Sequence, residues 1–392
     1  MPDFQNPFLP GNQMIRSKLS VLFAVFFLSL AIAGAQAQTR PPEVLARAWL
    51  IADLSSGQTL ADSRADERFE PASLTKLMTA YVVFTALRDK KLTLTQSVKV
   101  SERAWRAPGS RMFIQPDKPV SVDDLIRGME IQSGNDACVA LAEAVAGSEE
   151  VFAQLMNREA QRLGMKSTKF MNASGLPDAE HYSTARDLYV LASALIRDFP
   201  VEYATYYSQK EFRYNNITQM NRNRLLWLDS TVDGMKTGFT EAAGYCMIAS
   251  SLRGPRRLIS VVLGATSEPT RVQESQKLLN WGYLFFDSLK LYAKDQPAKR
   301  IEVWKGALSE VQVGFAADVY VAVPKGQGDK VKAELVSQQP LVAPLAKGQK
   351  LGVLRVSMDG KPIAEAPLIA LESVALAGVF GRTWDTLRLW LK

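Results

Sequence analysis

The spacing of apolar residues changes character near residue 293, so any fold for this chain must accommodate two differently patterned segments. Upstream, apolar positions 74, 77, 78, 81, 82 and 86 recur at helical spacing just after Pro71. Similar spacing predicts helices over 122–129, 137–146, 149–163 and 185–197, the last introduced by Thr184-x-x-Asp187, a variant of the capping box. Strands are predicted over 46–53, 244–251 and 257–264, the last two joined by the hairpin signal Arg253-Gly254-Pro255. This order points to one large α+β domain in which an antiparallel sheet packs on helices. After Ala293-Lys-Asp-Gln-Pro297 come short alternating segments at 311–315, 319–323, 333–336, 351–356 and 367–371, punctuated by Gly and Pro. They predict a small all-β domain.

Apolar residues make up 47% and charged residues 22%, enough to bury a sizeable core. The chemistry is narrowed by a single histidine, His181. A multi-histidine zinc site cannot be built from it, and only Cys138 and Cys246 remain to help, so no metal and no cofactor is implied. A Ser-His-Asp hydrolase would have to use His181, yet no Gly-x-Ser-x-Gly elbow is present to supply its nucleophile. A hydrolase built on this chain therefore draws its general base from elsewhere, and His181 reads as a surface or helix-start residue. The two cysteines, both in apolar stretches, are either paired or free buried thiols. The formal charge is +7, but the basic residues are dispersed, which speaks against nucleic acid.

Arg16 and Lys18 precede an apolar stretch from 19 to 33, which Ala35-Gln36-Ala37 follows as a small-x-small cleavage site. Residues 1–37 are thus predicted to be a secretory signal peptide, and the protein to be exported. At the other end, 373–392 read as a helix with Leu376, Phe380, Trp384, Leu387 and Leu391 on one face. Such a helix packs on the protein's own core or lies in a membrane plane; its terminal position, two Trp and basic polar face favour the membrane.

Three short motifs each occur once. Ser73-Leu74-Thr75-Lys76 opens the first periodic helix, and its spacing of three sets serine and lysine on one helical face. A serine hydroxyl needs a base to act as a nucleophile, and an amine serves when burial, a helix dipole or a second cation disfavours its ammonium form. Ser133-Gly134-Asn135 precedes an apolar helix and suits an N-cap. In a catalytic site, Ser133 would relay a proton from Lys76 to the leaving group, and Asn135 would bond the substrate's amide backbone. Lys236-Thr237-Gly238 precedes a strand; there Gly238 would let an extended ligand approach, and Lys236 with Thr237 would attract a carboxylate.

In this order, 60 and 103 residues apart, the motifs resemble those of the penicillin-recognising serine acyl-transferases. Further stretches, Tyr182-Ser-Thr-Ala-Arg-Asp187, Asn221-Arg-Asn-Arg-Leu-Leu-Trp227 and Val232-Asp-Gly-Met-Lys-Thr-Gly238, resemble the low-molecular-mass penicillin-binding proteins that are serine-type D-alanyl-D-alanine carboxypeptidases. That resemblance implies a penicillin-binding transpeptidase/β-lactamase-like catalytic domain over 38–293, a small β domain over 294–372 and an amphipathic membrane-anchor helix over 373–392. It implies Ser73 as nucleophile, Lys76 as general base, Ser133 and Lys236 in the proton relay, and Asn135 positioning substrate. The oxyanion hole would use the N–H groups of Ser73 and Phe239, with Thr237, Gly238, Arg222 and Arg271 binding substrate. The implied substrates are peptidoglycan stem peptides ending in D-Ala-D-Ala, the implied inhibitors β-lactams, and the implied location the periplasmic face of the inner membrane.

One departure stands out. The family commonly has histidine after Lys-Thr-Gly, where this chain has Phe239; the N–H survives the exchange and the imidazole does not. A β-lactamase would carry the same motifs, but no Glu-x-x-Leu-Asn segment is present to speed deacylation. A D,D-endopeptidase or a slow, non-catalytic wall-binding protein remains an alternative at this level.

Overall fold

The structure is a computed structural model that describes Asp3 and residues 40–390, the side chains at 380, 381, 387 and 389 excepted. The predicted signal segment, apart from Asp3, lies outside the described residues.

Strands β1 (Ala48–Asp53) and β2 (Thr59–Ser63) join β3 (Val232–Thr240), β4 (Gly244–Arg253) and β5 (Arg256–Ala265) in a five-stranded antiparallel sheet of order β2-β1-β5-β4-β3. Both faces are covered. Along β1, Ala48, Leu50 and Ala52 enter one apolar cluster, and Trp49 and Ile51 enter another on the opposite face, as the two-residue period of a strand requires. The larger cluster belongs to α1 (Lys76–Arg88), α2 (Val122–Ile131), α3 (Asn135–Ala146), α4 (Glu149–Leu163) and α5 (Ala185–Asp198). These five agree with the helical spacing in the sequence to within a few residues. Thr184 caps α5 by accepting from the Asp187 N–H at 3.0 Å, while the Asp187 carboxylate turns away to Ser167 and Thr168.

The second face is covered by α6 (Glu268–Phe285), a helix that apolar periodicity does not reveal. Its buried side carries Arg271, Glu274 and Ser275 beside Val272, Leu278 and Leu279, so polar residues interrupt the apolar stripe.

From the end of α6 the chain runs directly into β6 (Phe286–Tyr292). There follow β7 (Lys299–Trp304), β8 (Glu310–Gly314), β9 (Val319–Pro324), β10 (Val331–Ser337), β11 (Leu341–Val342), β12 (Lys350–Met358) and β13 (Lys361–Ala370). Six form a sheet of order β10-β12-β13-β8-β7-β11, and β6 pairs with β9. Val311, Val313, Phe315, Val321, Leu354 and Leu368 make a core of their own. This is the small β domain that the alternating segments predict.

The C-terminal helix is shorter than expected. Residues 373–378 are not helical: Val374 bridges to Leu345 and Leu376 to Gly306, and Val374 is buried in the β-domain core, which holds this stretch extended. Helix α7 is Val379–Trp390. Asp385 accepts from the Lys305 N–H at 2.6 Å and the Arg388 guanidinium lies over the Trp304 ring, while Trp384 and Trp390 are exposed. The expected apolar positions Phe380, Leu387 and Leu391 fall outside the described side chains. No helix among the described residues is long and apolar enough to cross a membrane.

Candidate active site

Ser73 stands in a single 3-10 turn, Ala72–Thr75, that runs straight into α1, so Lys76 opens the helix one turn beyond the serine. Ala72 has φ +47°, a conformation costly for a residue with a Cβ and typical of places where a reacting group must be presented. Two glycines make room for this turn. A Cβ on Gly175, itself at φ +82°, would collide with the Ala72 carbonyl oxygen. One on Gly238 would press on Pro71, Ala72 and the Ser73 amide, so the bare backbone brings edge strand β3 alongside Ser73.

Lys76 is completely buried. Its Nζ lies 3.0 Å from Ser73 Oγ, 2.8 Å from Asn135 Oδ1 and 2.6 Å from the Ser174 carbonyl oxygen. The two carbonyl oxygens only accept, so Lys76 donates to both. A free amine has two N–H groups and one lone pair, which then faces the Ser73 hydroxyl. An ammonium would also fit these contacts, but burial holds this lysine below the usual range, and the Arg222 cation acts in the same direction against the pull of nearby acids.

Lys236, on β3, is 2% exposed and has one long contact, 3.5 Å, to the Thr237 carbonyl. Burial and then the charge on Lys76 hold it below the ordinary lysine range. Ser133 is buried with φ +66°, and its Oγ has no protein hydrogen-bond partner among the described residues. Asn135 begins α3 rather than capping it, and its Nδ2 donates to the Pro108 carbonyl at 2.6 Å.

Ser73, Ser133, Asn135, Thr237, Gly238, Phe239, Arg222 and Arg271 all line one cleft of about 380 Å³, with Lys76 and Lys236 buried beneath its floor. All ten residues singled out in the sequence are thus brought together. Arg271 projects from the first turn of α6 and donates to the Gly238 carbonyl at 3.2 Å; Arg222 donates to the Gln132 carbonyl at the same distance. Phe239 is 45% exposed, its ring tilted against Tyr245 at 4.5 Å between centroids.

His181 departs from expectation. It is 3% exposed, accepts at Nδ1 from the Met171 N–H and therefore donates from Nε2 to Thr75 Oγ1 at 2.9 Å, directly behind the Ala72–Thr75 turn. Burial pushes its pKa down to about 4, so it is a neutral brace and no surface group. In the segment Tyr182–Asp187 that follows, Ser183 pairs with Phe69 and Tyr182 with Lys169 before the helix begins at Ala185.

Other contributors carry no motif. The Asp136 carboxylate accepts from the Met112 and Phe113 N–H groups at 2.9 and 2.8 Å and holds the loop that bears Gly109 and Ser110 at the cleft wall. Asn172 Oδ1 accepts from Ser174, Gly175 and Leu176 and shapes the loop whose carbonyl receives Lys76. Only the turn-forming Asn172-Ala-Ser-Gly175 run could have hinted at that loop. Cys138 and Cys246 are free and buried.

Comparison with known proteins decides the family. Residues 35–267 match the family described as D-alanyl-D-alanine carboxypeptidase. The chain belongs to the D-alanyl-D-alanine carboxypeptidase family. Residues 286–376 match the C-terminal domain of penicillin-binding protein 5. Among curated members of this carboxypeptidase family, D-alanyl-D-alanine carboxypeptidase DacC of Escherichia coli K12 is 47% identical, with 92% of each chain covered. Penicillin-binding protein 5 of Haemophilus influenzae superposes with a TM-score of 0.81 at 42% identity, covering 86% of this chain and 99% of that one. The ampicillin-bound penicillin-binding protein D2 of Listeria monocytogenes matches at 33% identity and TM-score 0.58, over 62% of this chain and 99% of its own. This D-alanyl-D-alanine carboxypeptidase is accordingly a serine peptidase, with the penicillin-binding fold and an all-β C-terminal domain.

Proposed function

We propose that Ser73 of this carboxypeptidase attacks the penultimate D-Ala carbonyl of a peptidoglycan stem pentapeptide and releases the terminal D-Ala. The observation that carries this reading is the position of Lys76 Nζ, which donates to Asn135 Oδ1 and the Ser174 carbonyl and stands 3.0 Å from Ser73 Oγ, where its free-amine form can take the hydroxyl proton. The Ser73 proton passes to Lys76 as Oγ bonds to the carbonyl carbon. Negative charge then grows on the carbonyl oxygen, where the N–H groups of Ser73 and Phe239 serve as preorganised donors. As the C–N bond breaks, the leaving amine takes up a proton by way of Ser133 and Lys236, and water later hydrolyses the ester.

The remaining cleft residues bind. Asn135 and Thr237 hold the extended peptide beside edge strand β3, Gly238 lets it approach, and Arg271 and Arg222 offer positive charge to its carboxylate. A β-lactam enters by the same route, its strained amide taking the place of D-Ala-D-Ala. We further propose that the protein is exported and rests on the periplasmic face of the inner membrane through α7, whose Trp384 and Trp390 are 63% and 85% exposed.

Intact-mass analysis after exposure to penicillin checks the nucleophile: one adduct is expected on the parent and none on Ser73→Ala. Assay of D-Ala freed from a stem pentapeptide checks the reaction. A folded parent that releases no D-Ala would refute the proposal.

A further inference from the structure

The loop that receives Lys76 is fastened by a carboxylate that none of these roles uses. Lys76 Nζ makes its shortest contact, 2.6 Å, with the Ser174 carbonyl oxygen, so the amine follows the position of that carbonyl. Ser174 belongs to no helix or strand, and its loop must be held by side chains. Asn172 bonds the N–H groups of Ser174, Gly175 and Leu176, all within the loop itself. Two side chains from outside grip the residue between them. Thr79, fully buried on α1 one turn after Lys76, donates to the Ala173 carbonyl at 2.6 Å. Glu149, the buried first residue of α4, accepts from the Ala173 N–H at 3.0 Å through Oε1.

Glu149 is not spent on its own helix. Ser148 caps α4 by accepting from the Val151 N–H at 3.3 Å, whereas both of these Glu149 bonds leave the helix: Oε1 goes to Ala173, and Oε2 accepts from Arg103 Nη2 at 2.7 Å. A buried carboxylate is tolerated when both oxygens are bonded in this way. Arg103 stands in the helix Glu102–Trp105, from which the chain leads on to Pro108. The Pro108 carbonyl accepts from Asn135 Nδ2, and Asn135 Oδ1 accepts from Lys76. The carboxylate therefore joins the two loops that flank the amine.

We propose that Glu149 is a positioning residue for acylation: its bond to the Ala173 N–H, opposite the bond from Thr79, holds the Ser174 carbonyl where it fixes Lys76 Nζ beside Ser73. The inference rests on the reading of Ser73 and Lys76 given above. Misplacing a reacting group by about 1 Å can cost on the order of 100-fold in rate, and with Thr79 and Asn172 still in place a loss of about tenfold is expected.

The test is stopped-flow acylation by a fluorescent penicillin over a concentration series, which separates the limiting rate from the half-saturating concentration, with urea unfolding of each variant. Glu149→Asp keeps the charge at the start of α4 but withdraws the acceptor by one methylene. Glu149→Gln gives up the charge and keeps an acceptor for Ala173. Arg103→Ala removes the ion pair alone. Glu149→Asp should lower the limiting rate about tenfold, with half-saturation within about twofold of the parent. Glu149→Gln should retain most of the rate, and Arg103→Ala should acylate as the parent does. A role in ion pairing or in stabilising the helix start gives the reverse order, with aspartate tolerated and glutamine not; that order, or any other, overturns the proposal. Should Glu149→Asp fail to fold, Thr79→Val takes its place, since it releases Ala173 from the opposite side: a slowed limiting rate supports the proposal and an unchanged one overturns it. A parent that is not acylated refutes the Ser73 reading itself, whereas an acylated parent with an unaffected variant refutes only the role of Glu149.

Discussion

At the scale of single residues, chemistry here is set by what each group is buried against. His181 is the clearest case. In the unfolded chain a histidine takes up a proton near pH 6.5, but in the fold only near pH 4. Between those values the unfolded state binds more protons, so stability is lost as pH falls through this window, by on the order of 3 kcal/mol at pH 4. Urea unfolding of the parent and His181→Gln at pH 7 and pH 4 measures this: the variant should lose distinctly less on acidification. Phe239 calls for a different experiment. Its ring is half-exposed at the cleft mouth, resting on Tyr245, while only its backbone N–H is assigned to the chemistry. Phe239→His should leave acylation by penicillin within a few-fold and change deacylation or D-Ala release more, as stopped-flow and product assays would reveal; unchanged rates throughout would mean that the side chain has no part.

At the scale of elements, the cleft is built by loops that borrow rigidity from neighbouring helices. Asp136, in the first turn of α3, is fully buried and spends its carboxylate on the N–H groups of Met112, Phe113 and Ile114. Asp136→Ala would orphan those donors at roughly 1–3 kcal/mol each, so a loss of at least about 3 kcal/mol is expected in denaturant titration. Acylation of the fraction that stays folded should slow as well, because the same loop carries Gly109 and Ser110 at the cleft wall. The helices that form the main core were legible from their apolar residues: Val122–Ile131, Glu149–Leu163 and Ala185–Asp198 bury one face, and Lys76–Arg88 and Asn135–Ala146 are buried nearly all round over their first turns. Helix α6 was not, since its buried side includes Arg271, Glu274 and Ser275, and the start of α7 was misplaced because pairing with Leu345 and Gly306 overrides helical spacing at 373–378.

At the scale of the whole molecule, the β domain has its own core, and α7 is fastened to it by Asp385 and Arg388 while presenting Trp384 and Trp390 to solvent. Gln58, in the turn between β1 and β2, ties the catalytic part to this domain by accepting from the Ala322 N–H at 2.6 Å and donating to the Ile363 carbonyl at 3.2 Å. Removing residues 379–392 should abolish co-sedimentation with vesicles containing phosphatidylglycerol and leave D-Ala release from a soluble pentapeptide within about twofold, since an interfacial helix contributes binding and not chemistry. Retained vesicle binding would place the membrane contact elsewhere.

The sequence by itself picked out the groups proposed to react. The Ser-x-x-Lys, Ser-x-Asn and Lys-Thr-Gly motifs occur once each, in an order that one family uses, and local spacing places the first two at helix starts; that Lys236–Gly238 lie within strand β3 rather than before a strand only the fold reveals. Only the tertiary structure decided their burial and support. Lys76 and Lys236 come from a helix start and an edge strand that are far apart in the chain, and a lone buried histidine braces the turn between two of the motif residues. Proton affinity depends on desolvation and on neighbours brought together by folding, and no local pattern of residues carries that information.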